Sequence, residues 1–144
     1  MLALSIQSPF DAAPRLPEAV DLEEAIQRAL DEAGTVSGAY ATSPCRVLPL
    51  PPEAGGHLRT FRPSGFTGDT CVLVTVRGSS EAGHRAHLHE RCLTAAQRFM
   101  LALSCEAVRN AWTTEVPDAV TLGRLGVDVD GHVPVGLIWC TAER

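Results

Sequence analysis

The chain has 144 residues, 45% of them hydrophobic, and a formal net charge of −5, enough for one domain with its own core and with no run near the roughly 18 apolar residues of a membrane-spanning helix. Its twelve basic residues are all arginine, which removes Schiff-base lysine chemistry, a P-loop and a lysine general base; scattered over an acidic chain, they make no stripe for a phosphate backbone, so no nucleic-acid partner is expected. Five cysteines without a C-x-x-C pair, and an opening MLALSIQSPFDAAPRLPE without a basic flank or long apolar run, predict a reducing, cytoplasmic setting.

Residues 1–19, with Pro9, Pro14 and Pro17 and only three charged side chains, read as an extended arm that lies on something. A helix over 21–33 follows. Asp21 and Glu24 form a capping box, Leu22, Ala25, Ile26, Ala29 and Leu30 share a face, and Gly34 is placed to end the helix. The turn SGAYATSPCR then leads to a short edge strand over 45–50, bounded by Pro49, Pro51 and Pro52. Residues 51–69 are loop by composition. CVLVTV, 71–76, is a central strand, β-branched and bounded by turn residues. The longest helix spans 85–107, with Leu88, Cys92, Leu93, Ala96, Phe99, Met100 and Leu103 giving an apolar face broad enough to pack on two sides. After it the chain turns through Arg109 and Asn110 toward Trp112, whose ring is expected to be buried against Leu137 or Trp139. A short helix after Pro117 carries Val120, Leu122 and Leu125 and stops at Gly126; a turn at Asp130-Gly131 feeds a last strand over 133–140. Helix, strand, strand, helix, helix, strand is an α+β order in a single domain over 1–144.

Several constellations invite chemistry. His84, His87, His89 and Cys92 sketch a tetrahedral metal site. The two pairs, however, point about 140° apart on a helix, so a solvated helix start is the better reading and no metal site is assigned. Glu23, Glu24, Asp128 and Asp130 read as cap and turn residues. Cys45, Cys71 and Cys140 lie in apolar strands and Cys92 and Cys105 on the apolar helix, where a thiol is usually inert packing. No catalytic side chain is assigned. Arg109 and Asn110 together read either as a helix C-terminus with an anchoring Trp or as an anion site.

These pieces, in order, resemble the nitroreductase-like FMN-dependent oxidoreductases. VSGAYATSPCRV stands where that family has A-P-S-x-x-N-x-Q-P-W-R-F, with Pro44 and Arg46 matching. AAQRFMLALSCEAVRNAW, from Ala95 to Trp112, follows the family's long helix, and PDAVTLGRLGVDVDGHVPVGLIWC its short helix, turn and closing strand. The resemblance covers about 20–142. It implies a nitroreductase-like fold, a central mostly antiparallel sheet wrapped by helices, in a homodimer with FMN at the interface passing hydride from NAD(P)H to an acceptor. On that reading Tyr40, Ser43, Arg46, Arg109 and Asn110 meet the cofactor.

The departures from the pattern carry equal weight. LSIQSPF offers no Arg where the family's R-S-x-R contacts the FMN phosphate, and Ala41, Ser43 and Cys45 replace its Asn, Gln and Trp. Ala107 and Arg109 replace glycines before the Trp. Each lost charge-assisted contact costs on the order of 1.5–3 kcal/mol, so FMN binding requires a substitute cation at Arg109, Arg59 or Arg62. The alternative reading is a degenerate, non-catalytic relative that serves as a binding or partner subunit, pairing with a complete flavoprotein.

Overall fold

A computed structural model describes residues 21–33, 45–78 and 81–142. The expected arm at 1–19, the expected stop at Gly34 and the turn before Cys45 lie outside them. Four helices and four strands alternate as α1 (Leu22–Glu32), β1 (Cys45–Pro49), α2 (Pro52–His57), β2 (Cys71–Arg77), α3 (Ala82–Cys105), β3 (Val108–Thr113), α4 (Ala119–Arg124) and β4 (His132–Ala142). The strands form one antiparallel sheet in the order β1-β2-β4-β3. CVLVTV is interior, as its β-branched run predicts, and the prolines keep β1 at an edge.

Because side chains alternate along a strand, the sheet has two faces and each builds its own core. On one face Val47, Val72, Val74, Val108, Ile138 and Cys140 meet Ala25, Ile26, Ala29 and Leu30 of α1 and Leu88, Cys92, Ala96, Phe99 and Leu103 of α3. On the other, Leu73, Leu137 and Trp139 meet Leu50, Ala54, Leu58, Phe66, Leu122 and Val127. Helix α1 starts on its expected cap, with Asp21 accepting from the Glu24 amide at 3.3 Å. It is tied to the end of α3 by Arg28 Nε donating to Glu106 Oε1 at 2.8 Å.

Four expectations need correction. Residues 51–69 are not plain loop. Helix α2 and a 3-10 turn at Arg59–Phe61 lie there, held by a bidentate Arg59–Asp69 pair at 2.7 and 2.8 Å and by Arg62 Nη1 donating to Gly68 O at 2.6 Å. A Cβ on Gly55 would overlap the Asp69 carbonyl, so the helix packs here only because residue 55 has none. Helix α3 begins at Ala82, not 85, because its first turn is exposed all round and carries no apolar period to read.

The turn expected at Arg109-Asn110 lies earlier. Glu106 caps α3 and Ala107, at φ 61°, reverses the chain into β3, where Arg109 and Asn110 are strand residues paired with Thr141 and Cys140. A half-exposed edge strand shows no clean alternation, which is why VRNAWT did not read as one. Trp112 is correspondingly misplaced in the sequence reading. It is half-buried, pairs with Ile138 and lies over Gly136 on the α1/α3 face, opposite the face that holds Leu137 and Trp139.

Candidate functional site

Tyr40 and Ser43 lie outside the described residues. The other three assigned residues are placed by the sheet. Arg46 is the second residue of β1, 18% exposed at its side chain, with Nη1 3.5 Å from His132 Nδ1 and 3.9 Å from Asp130 Oδ2. Asp130 and Gly131 form the expected turn, both at positive φ (51° and 77°), and so bring this carboxylate and imidazole to the end of the sheet where β1 begins.

Asn110 and Arg109 are neighbours in sequence but project from opposite faces of β3. The Asn110 amide donates to Met100 O at 3.3 Å, Ser104 Oγ at 3.2 Å and Val108 O at 3.0 Å. It therefore ties β3 back onto the last turns of α3. Arg109 is exposed on the other face. Its guanidinium stacks 4.6 Å above the Phe66 ring, and Nη1 donates to Gly65 O at 3.4 Å. The two side chains do not converge on one ligand.

Among Arg46 and the three arginines considered for an anion, the ion pairs are unevenly shared. Arg59 and Arg62 both bind Asp69, and Arg46 faces Asp130. Arg109 has no carboxylate within ion-pair distance among the described residues. The Arg59 guanidinium holds the Asp69 carboxyl below the usual carboxylate range, so that pair is a closed unit. Arg109, over the Phe66 ring and with no carboxylate partner among the described residues, could receive an anion bidentately.

A cleft of about 410 Å³ opens at the other end of the sheet, floored by Val76, Val133 and Val135 and rimmed by Arg77, Arg85 and His89. Val133 is 48% exposed, large for a strand valine. Val76 pairs with Cys45, so the cleft lies beside the first residue of β1. An apolar floor with a few polar groups at its rim is the general make-up of a small-molecule pocket and suits a flat ring system, so the cleft and Arg109 could hold the ring and the phosphate of FMN. They lie at separate places. Arg46 pairs with Thr75 beside Pro134, whereas Arg109 pairs with Thr141; at strand spacings the two arginines are roughly 25 Å apart.

The histidine–cysteine cluster does not assemble. His84, His87 and His89 are exposed, while Cys92 is fully buried. Cys92 instead meets Cys45. The sulfurs are 3.1 Å apart, a pairing 47 residues distant in sequence that no spacing signal announces. Burial pushes the Cys71 and Cys140 thiols up to about 12, as expected of inert packing; Cys105, read as part of an apolar face, is exposed. Of the acidic candidates, Glu24 and Asp130 lie 3.9 Å from Arg28 and Arg46 respectively, and Asp128 accepts from the Asp130 amide at 2.9 Å.

No known family model and no curated protein matches the sequence. Solved structures do match the fold. A nitroreductase family protein from Clostridium novyi aligns with a TM-score of 0.65 at 10% identity, covering 88% of this chain and 76% of that one. A protein from Desulfovibrio desulfuricans described as a nitroreductase, in complex with FMN, aligns at 0.63 and 21% identity, covering 87% and 76%. The FMN-dependent nitroreductase NfnB from Mycobacterium smegmatis, in complex with NADPH, aligns at 0.61 and 14%, covering 84% and 78%. The chain has the nitroreductase fold, an α+β architecture around an antiparallel sheet.

Proposed function

We propose that the protein is an FMN-dependent oxidoreductase that holds the flavin between two copies of the chain and passes hydride from NAD(P)H to an acceptor. The fold supplies the class. The observation from this chain's own residues is that Arg109 alone, of the three arginines weighed for the phosphate, has no carboxylate within ion-pair distance among the described residues and lies over an aromatic ring. In this reading Arg109 of one copy grips the phosphate, and Arg46, Ser43 and Tyr40 of the other stand at the ring end. FMN, when bound, supplies the two-electron chemistry; the protein binds and orients it and shields it from water.

The decisive experiment is FMN titration by fluorescence quenching into the parent and Arg109→Ala. The parent is expected to bind, and the variant to bind on the order of tenfold or more weaker at unchanged melting temperature. Equal affinities overturn the assignment of Arg109. NAD(P)H oxidation by the FMN-loaded protein then tests the activity.

A second reading, a non-catalytic partner subunit, has its own support. Asn110 is spent on the α3 terminus and Arg46 is opposed by Asp130, which leaves one cation for the phosphate. Failure of either protein to bind FMN would favour it.

A further inference from the structure

We propose that Cys45 and Cys92 are a redox modification site, in which a peroxide-class oxidant joins them in an intramolecular disulfide between the first residue of β1 and α3, and a thiol reductant reopens it. The sulfurs stand 3.1 Å apart, with Cys45 donating to Cys92. About one further ångström brings them to bonding distance, a change that side-chain rotation can supply. Both positions are constrained by the core: Cys45 Sγ lies 3.8 Å from Cys92 O, Cys92 Sγ lies 3.7 Å from Thr75 O, and the two residues are 5% and 0% exposed.

Access comes from the cleft at the β1 end of the sheet. Val76, the cross-strand partner of Cys45, and His89, one helical turn before Cys92, both line it. A molecule the size of hydrogen peroxide in that cleft is one side-chain layer from the thiols. The Cys45–Cys92 contact holds Cys45 below the usual thiol range, while the same contact and burial push Cys92 up. Cys45 is therefore the attacking sulfur.

The chemistry closes on two steps. The Cys45 thiolate attacks one peroxide oxygen and breaks the O–O bond; the departing hydroxide leaves as water with the proton Cys45 gave up, and Cys45 becomes a sulfenic acid. Cys92 sulfur then attacks the Cys45 sulfur, the S–O bond breaks, and the hydroxide released takes the Cys92 proton as a second water. Two thiols lose two electrons and the peroxide gains them. The product ties an edge strand to the longest helix and closes a loop of 47 residues' separation, which restricts the unfolded chain. No bound flavin is required.

The test uses the full reduced chain, a small excess of hydrogen peroxide, alkylation of remaining thiols and peptide mapping. The expected result is a Cys45–Cys92 linked peptide, reversed by dithiothreitol, present equally in Cys105→Ser, and a melting temperature raised by on the order of 5–15 °C in the oxidised form. In Cys92→Ser, Cys45 is expected to stop at a sulfenic acid that dimedone traps. Alkylation of both thiols after peroxide, links between other cysteines, or Cys45 over-oxidised beside an intact Cys92 thiol would each overturn the proposal. Mapping of the parent chain decides even if Cys92→Ser does not fold.

Discussion

Gly136 shows how one residue sets a packing geometry. It sits on β4 on the α1/α3 face, and a Cβ there would fall inside the indole of Trp112 on β3. The indole is rigid and packs against the α1/α3 core, so it cannot yield as a lysine tip would. Gly136→Ala is expected to destabilise the fold by about 1–3 kcal/mol, the usual cost of overpacking. The same change in a Trp112→Ala background should cost clearly less, because the clash is removed. Denaturant melts of the four proteins in this cycle measure the coupling; equal costs in both backgrounds would show that the indole lies elsewhere. Ala107 is a further residue-scale feature. It holds the left-handed position after α3 that glycine usually takes, so the backbone bend survives in a chain that lacks the glycine.

At the scale of elements, the segment between β1 and β2 is organised by one carboxylate. Asp69 receives both Arg59 contacts and lies 3.7 Å from Arg62 Nη1, while its backbone carbonyl is the surface on which Gly55 of α2 rests. Its pKa is depressed in the folded state, by the Arg59 hydrogen bond first. The sign follows directly: the contribution to stability is fully present above the unfolded carboxylate value of about 4 and is lost as pH falls through the lower folded value. Stability should therefore decline below about pH 4, and Asp69→Asn should flatten that decline while lowering stability at neutral pH. Urea midpoints across the acid range check both; an unchanged acid slope in the variant would remove Asp69 from this role. Helix α2 itself was unreadable because PEAGGH has two glycines and only six residues. Its helicity comes from packing rather than propensity.

Over the whole molecule, the separation of Arg109 from the β1 end of the sheet makes the proposed site a property of two copies. Helix α3 turns Leu88, Cys92, Ala96, Phe99 and Leu103 into the core yet leaves Leu101 69% exposed. A self-association burying on the order of 2,000 Å² or more of total surface is expected to cover such a residue. Sedimentation at micromolar concentration should give a dimer, weakened by Leu101→Glu. A monomer unchanged by concentration or added FMN would contradict it.

Periodicity was enough to place α1, β2, most of α3 and β4 and to give the α+β class, because each buries a face large enough for a repeating apolar signal to survive in the residues themselves. The Asp130-Gly131 turn and the Asp21 cap were readable for a local reason, since their chemistry is satisfied within a few residues. Folding alone settled α2, β3 and the long-range contacts. The strand over 108–113 exists because β4 offers it an edge. Alternation along that strand sends Asn110 to the end of α3 and Arg109 to Phe66, dividing a pair that looked like one anion site. Cys45 and Cys92 meet only because α3 crosses the start of β1. Contacts of this kind join residues tens of positions apart, and nothing in the spacing of a sequence encodes them.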